Sequence, residues 1–262
     1  VKVEVLPYKD PNRAPLENRI KQLLGIDAVH VFPEDDSDTP ASQFISSLGA
    51  WLSRELMQFD RIGLAWSRTV YRASFRLIPQ NIGPRMCFTP LQGNAGVSIP
   101  WLQSNSILDR FASNYSAKAV FTQCSVFTPT DALDTPLEKE RFRLLQSGWQ
   151  GLDAAVFGIG AKPDFNSSFI QEVAGPVYKV LSSMNAIGDL FGSFFDDSGV
   201  FFSLPAGYTL ASFPISQLRT LPHTICLASG AEKAQAIAVA AKLGYIKTLA
   251  IDESAANALL SM

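Results

Sequence analysis

Apolar positions along the chain fall into two rhythms, one of helical and one of strand period. Near the N-terminus, "PLENRIKQLLG" places Leu16, Ile20, Leu23 and Leu24 on one helical face, closed by Gly25. "DAVHVFP" then reads as a short strand ending at Pro33. A longer helix is expected over "TPASQFISSLGAWLSRELM", begun by Thr39 and Pro40, with Phe44, Ile45, Leu48, Leu52 and Leu56 at helical spacing. A proline in a first turn forfeits no hydrogen bond, so Pro40 suits that start.

From there the rhythms alternate. "DRIGLAW" is strand-like, "TVYRASFRL" helical and "PRMCFTPLQG" strand-like; "SIPWLQSNSILDRFASNY" is helical and "AKAVFTQCSVF" a strand. The charged helix "TPLEKERFRLLQSGWQ" leads to the strand "LDAAVFGIG". Later come the strand "PHTICLASG", the helix "AEKAQAIAVAAKLG", the strand "YIKTLAID" and the helix "ESAANALLSM". Short apolar strands separated by helices predict an α/β, Rossmann-like fold: a mostly parallel sheet flanked by helices on both faces. Residues 176–215, rich in Gly, Phe and Ser, break the rhythm and are expected to form an inserted subregion of short antiparallel strands. With no repeat, low-complexity tail or linker, residues 1–262 are expected to form one domain.

Charge and cysteine usage narrow the function. Twenty-two Lys and Arg against 24 Asp and Glu give a net charge of −2. Phosphate neutralisation needs a concentrated basic patch, and "RIGLAWSRTVYRASFR" and "EKERFRLL" are too sparse to supply one. Nucleic-acid contact by this chain alone is therefore not expected. The three cysteines, Cys87, Cys124 and Cys226, lie inside apolar segments and read as reduced core thiols, which points to the cytoplasm. The chain opens "VKVEVLPYKD" without an initiator Met or a signal-type segment, so an upstream part is expected to have been removed, with processing as the alternative. No apolar run approaches the length that crosses a bilayer, and no membrane partner is expected.

In open α/β sheets, ligands bind beyond the carboxyl ends of the strands, against helix N-termini. That rule selects five stretches. In "WSRT", Ser67 and Thr69 offer hydroxyls, Arg68 a fork of donors, and the helix start free N–H groups, a set suited to an oxyanion. An ordinary N-cap with a surface arginine would read the same way. In "LQGNAG", Gly93 and Gly96 permit close backbone approach while the Gln92 and Asn94 amides can serve sugar hydroxyls; a plain turn is the alternative. "FGIGAKPD" resembles a dinucleotide loop, but Gly158 and Gly160 are followed by Ala161, Lys162 and Pro163 where a third glycine is needed. With no Walker loop either, no nucleotide cofactor is expected, and the backbone of "GIG" is left to face a small ligand. In "AIGDLFGSFFDDSG", Asp189 and Asp196 sit in Gly-rich turns where carboxylates could bind sugar hydroxyls, act as acid and base, or simply cap the turns. In "SGAEKAQAIAV", Gly230 precedes a helix whose first turn carries Lys233, a cation at the wrong end of a helix dipole unless an anion binds nearby.

Catalytic constellations are thin. His30 and His223 stand apart, and no zinc spacing, nucleophile elbow or paired-cysteine motif appears. The residues alone support a site for a small polyol or phosphorylated sugar.

Taken in order, "LENRIKQLLGIDAVHV", "RIGLAWSRTVY", "TPLQGNAG", "SNSILDRFA", "LDAAVFGIG", "NAIGDLFGSFFDDSG" and "LASGAEKAQAIAVAAKLGYIKTLAIDESAANALL" resemble the effector-sensing domain of SorC/DeoR-type bacterial transcriptional regulators. The resemblance spans nearly the whole chain. It implies a fold like that of sugar-phosphate isomerases and glucosamine-phosphate deaminases, turned from catalysis to sensing. It also implies a sugar or phosphosugar effector, a homo-oligomer (dimer or tetramer), and DNA contact through an N-terminal helix-turn-helix absent from this chain. By this resemblance Arg68 and Thr69 inherit effector contact, with Ser67 where the family usually has glycine. Gln92 and Gly93 match a loop in which Asn94 replaces a second glycine, Gly158 and Gly160 match its "GIG" loop, and Asp189 its "GD" pair. Asp196 matches a later acid, here doubled by Asp197, and Gly230 and Lys233 match the last motif, where Ala231 replaces a glycine. The alternative is an active isomerase or deaminase of the same fold, with Asp189 or Asp196 as base and Lys233 holding phosphate.

Overall fold

The computed structural model describes residues 13–34, 42–95, 99–164, 184–204 and 206–262. The opening decapeptide, the Thr39–Pro40 helix start, Gly96 and the first part of the 176–215 segment lie outside these residues. The first half runs α1 (Arg13–Leu24), β1 (Ala28–Phe32), α2 (Gln43–Glu55), β2 (Arg61–Leu64), α3 (Arg68–Ser74), β3 (Cys87–Pro90), α4 (Ser104–Tyr115), β4 (Lys118–Ala119) and β5 (Phe127–Pro129). After α5 (Pro136–Gly148) and β6 (Ala154–Gly158) come three short strands, β7 (Gly188–Leu190), β8 (Ser193–Phe195) and β9 (Tyr208–Leu210). The chain then runs α6 (Ile215–Leu218), β10 (His223–Ala228), α7 (Ala234–Lys242), β11 (Thr248–Asp252) and α8 (Glu253–Leu260).

Seven strands form one sheet in the order β1-β11-β10-β6-β2-β3-β4, every pair parallel. Parallel strands covered on both faces read as near-continuous apolar runs, and alternation then decides which face each side chain serves. In β6, Ala155 and Phe157 join a core with Ile20 of α1, Ile237 of α7 and Leu259 of α8. Ala154 and Val156 join the opposite core with Leu48 of α2, Val70 of α3 and Leu108 of α4. The α/β architecture with helices on both faces is therefore as the periodicity predicts.

Two elements, α1 and "AKAVFTQCSVF", depart from the sequence reading. Leu23, assigned to the buried face of α1, is 57% exposed, and only Ile20 of that helix is fully buried. The described part of α2 begins at Gln43, capped by the Ser42 hydroxyl, which accepts from the Ile45 N–H at 3.1 Å. "AKAVFTQCSVF" is not one strand. Only Lys118 and Ala119 join the sheet edge; Phe121 is 56% exposed, and Thr122 N–H donates to the Asn105 side chain at 2.9 Å instead of to a strand. The chain next pairs as β5 with β9, antiparallel, away from the main sheet.

The irregular region does hold the short antiparallel strands expected of it. β7 and β8 form a hairpin through Phe191 and Gly192, both with positive φ (55° and 82°). That turn chemistry matches the twist of a two-residue hairpin, and glycine suits its second position. Phe191 is the unusual member, since bulky residues seldom adopt φ above zero.

Strand order fixes where a ligand can sit. From β2 the chain works outward through β3 to β4; from β6 it works the other way through β10 and β11. β2 and β6 are neighbours, so the order reverses between them. A crevice opens at the carboxyl ends of such a pair.

Candidate functional site

The crevice is a cavity of about 590 Å³, within the range of small-molecule sites. The loops after β2, β3, β6 and β10, four adjacent strands, form its wall together with the β7–β8 hairpin. Nine of the twelve residues expected from the sequence line it: Ser67, Arg68 and Thr69, then Gln92, then Gly158 and Gly160, then Asp189, then Gly230 and Lys233.

Close packing explains the glycines. A Cβ on Gly158 would come within 2.5 Å of the Ser67 side chain, and one on Gly160 would overlap the Asp189 carboxylate. The "GIG" turn thus lets the β2 loop and the hairpin approach the end of β6 from either side. Gly160 N–H also donates to the Asp189 carbonyl at 2.9 Å, fastening hairpin to loop. Gly230 has φ 101°, a conformation for which only glycine is suited.

One helix start faces the cavity and a second holds one of its loops. Ser67 caps α3, its hydroxyl accepting from Val70 N–H at 3.0 Å. Arg68 follows, its guanidinium carbon over the Trp101 ring at 5.4 Å from the centroid, within cation–π range; both residues line the cavity. Across the crevice, Asp252 at the end of β11 is 3% exposed and fully employed. It accepts from Ser229 Oγ at 2.6 Å, from Gly230 N–H at 3.0 Å and from Ala255 N–H at 2.9 Å. One carboxylate therefore caps α8 and pins the Ser229–Gly230 loop.

Asp189 and Lys233 supply opposite charges within the wall. Burial pushes the Asp189 carboxyl above its usual pKa, opposed by the Gly192 N–H (3.1 Å) and the positive charge of Lys233. Burial likewise lowers the Lys233 ammonium, opposed by Asp189 and Glu232, while Arg68 adds to the lowering. Both groups are costly to keep charged here, because burial removes the water that would solvate them. Cys226 beneath them is pushed up to about 12 by burial and is an inert thiol.

Three expected residues do not line the cavity. Gly93 stands behind Gln92, where its carbonyl accepts from Trp66 Nε1 at 3.1 Å and a Cβ would strike the Cys124–Ser125 backbone. Asn94 donates from Nδ2 to the Thr122 carbonyl at 2.9 Å and receives Asn105 N–H at 3.3 Å. Asp196 closes the turn after β8, its Oδ1 accepting from Ser198 N–H, Ser198 Oγ and Val200 N–H. Sequence reading omitted four aromatics at the wall, Trp66, Trp101, Phe191 and Phe194, along with Ser229 and Glu232. Phe191 is held at its positive φ by edge-on packing against Phe157, centroids 5.4 Å apart. Trp101 sits in a single 3-10 turn, Pro100–Leu102, which leaves no helical period to detect. Among the described residues, no group of three His, Cys, Asp or Glu could hold a metal ion, and no helix is long and apolar enough to cross a membrane.

A family model for the sugar-binding domain, Sugar-bind, matches residues 11–261. The chain belongs to this family. The deoxyribonucleoside regulator of Bacillus subtilis (strain 168) is 24% identical to this sugar-binding domain over 270 residues, covering all of this chain and 84% of that protein. Transcriptional regulator LsrR of Escherichia coli (strain K12) is 35% identical over 115 residues, 42% of this chain. That match spans 36% of LsrR, about a third of its length. Among solved structures, the full-length sorbitol operon regulator SorC from Klebsiella pneumoniae superposes with a TM-score of 0.80 at 23% identity, covering 99% of this chain and 84% of that one. A DeoR family transcriptional regulator from Listeria monocytogenes gives 0.75 at 17%, covering 95% and 99%. The sugar-binding domain thus shares its fold with SorC- and DeoR-type regulators.

Proposed function

We propose that this domain senses a sugar or phosphosugar for a DNA-binding transcriptional regulator of the SorC/DeoR type. The observation that carries this reading is the cavity at the β2/β6 reversal, where the cations Arg68, Arg72, Lys162 and Lys233 share a lining with the Gln92 amide and the Asp189 carboxylate. Cations at helix starts suit a phosphate, while carboxylate and amide suit hydroxyls. The regulators among its relatives support the setting. DNA contact would fall to a separate N-terminal helix-turn-helix domain, with residues 1–262 as the regulatory domain, 176–215 as its inserted subregion, and the cytoplasm as its compartment. A dimer or larger assembly follows from that role, since helix-turn-helix proteins read paired half-sites.

Turnover is the less favoured reading. Both histidines are engaged elsewhere: His30 packs on Trp51 (4.6 Å) and His223 on Phe59 (4.7 Å). An isomerase built on Asp189 would have to do its acid–base work with the carboxyl and amino groups of the wall, without a histidine among the lining residues.

Calorimetric titration of Arg68→Ala and Lys233→Ala with phosphosugars and the matching free sugars tests the site. Each variant is expected to lose roughly tenfold or more in affinity for the phosphorylated form and much less for the free sugar, because a charge-assisted bond is lost only from the former. Equal losses would remove the phosphate from the proposal. A thermal shift with NAD or ATP but with no sugar would remove the sugar as well.

A further inference from the structure

Gln92 is the wall residue whose bonding is incomplete. It is 1% exposed, and neither Nε2 nor Oε1 of its side chain has a hydrogen-bond partner. The backbone around it cannot swing to relieve this. Its carbonyl accepts from Ser104 Oγ at 2.8 Å, Gly93 N–H donates to the Ala211 carbonyl at 2.8 Å, and Phe213 N–H donates to the Leu91 carbonyl at 2.6 Å. Buried amides are almost always satisfied, and one that is not destabilises the protein that carries it. The cost has a use if a ligand supplies the missing partners.

The amide also restricts what that ligand can present. Nε2 donates and Oε1 accepts, so the complement must accept and donate side by side. An oxyanion fails, since it would satisfy Nε2 and repel Oε1. An ammonium fails in the opposite sense. Two neighbouring hydroxyls meet both atoms. The placement agrees: Lys233 follows β10, three strands from β3, which is roughly 14 Å across the sheet. An anionic end can therefore lie toward Lys233 while a neutral end meets Gln92.

We propose that Gln92 is a specificity-determining residue, which requires a pair of adjacent hydroxyls on the ligand and discriminates against the counterpart that lacks one. This rests on the cavity being a sugar site. A pocket built to bond a hydroxyl rejects the analogue without it far more strongly than an apolar pocket rejects a missing methylene.

The experiment has two arms. In the first, the thermal midpoint of the unliganded chain is measured for the native protein and for Gln92→Leu, with Gln92→Met as the unbranched repeat. Because no bond is lost with the amide, the better variant is expected to melt at the native temperature or above it. A fall of more than about 3 °C in both would mean that the amide is bonded in the unliganded protein, which overturns the proposal. In the second arm, native protein and variant are titrated with a panel of pentoses and hexoses, free and phosphorylated, and their mono-deoxy analogues. At least one deoxy analogue is expected to bind the native protein tenfold or more weakly than its parent, and the variant to bind the two alike. A variant that keeps the native discrimination overturns the proposal. If no panel member binds the native protein, the sugar reading is what fails, and the first arm still decides whether the Gln92 amide is unmet.

Discussion

Asp189 shows how a single side chain can link two loops and a charge. Gly160 exists as glycine because the Asp189 carboxylate fills the space a Cβ would take. Gly160→Ala should displace that carboxylate, costing about 1–3 kcal/mol in denaturant unfolding and weakening ligand binding in parallel. The carboxyl also has a pH signature. Its folded-state pKa lies above the unfolded value because of burial, so its ionisation is a penalty on the folded state. That penalty is absent below the unfolded value and grows as pH rises from it through the folded one. Asp189→Asn keeps an acceptor for Gly192 N–H and should raise the urea midpoint of the unliganded chain at pH 7.5, net of the attraction lost to Lys233. The gain should vanish near pH 3.5. Lys233 has the mirror behaviour: its depressed pKa makes the ammonium costly wherever pH lies below the folded value, and the cost disappears above the ordinary lysine range.

At the level of elements, the loops that meet a ligand are held by residues that do not touch it. Asp252 is the chief example, joining the α8 cap to the Ser229–Gly230 loop. Asp252→Ala is expected to cost about 2–4 kcal/mol in chemical unfolding, a cap plus two charge-assisted bonds. Asp252→Asn should recover part of that stability, and of the binding, by retaining the cap. This division also explains what was legible beforehand. Strands buried on both faces announced themselves through runs such as "LDAAVFG", and the rule that ligands gather at strand ends led from those runs to Arg68, Gly160 and Lys233. Asp252 gave no such signal: "IDES" reads as a helix cap whether or not its carboxylate also reaches a loop 22 residues away. "AKAVFTQCSVF" misled for a related reason. Its apolar content fits a central strand, but Asn105 on α4 takes over the bonding at Thr122 and ends the ladder after two residues. Periodicity records burial, and it is blind to a side chain that substitutes for a neighbouring strand. The aromatic wall was missed because its members come from a 3-10 turn, a hairpin tip and a strand end, with no common spacing.

For the whole molecule, the strand order matters more than any one contact. β11 lies between β1 and β10 and pairs with both. Removing residues 248–262 should therefore do more than shorten the fold, since β1 loses the one main-sheet neighbour described for it. Far-UV dichroism of that truncation should show a broad, non-cooperative thermal transition in place of a single steep one; a cooperative melt near the native midpoint would show that β1 is held by its helices alone. The two strands nearest the sheet's left edge come from opposite ends of the described chain. On a ribosome, β1 emerges long before the strand it needs, and remains an open edge until the other strands of its sheet have been made. Late completion of this kind slows folding and exposes the half-made sheet to other chains. Glu17 of α1 takes a donor that β11 does not use: its carboxylate accepts the Val31 N–H of β1 at 2.9 Å from only 14 residues away, in the completed fold. That local bond blunts the strand's own edge, while the donors that await β11 stay open until it is translated.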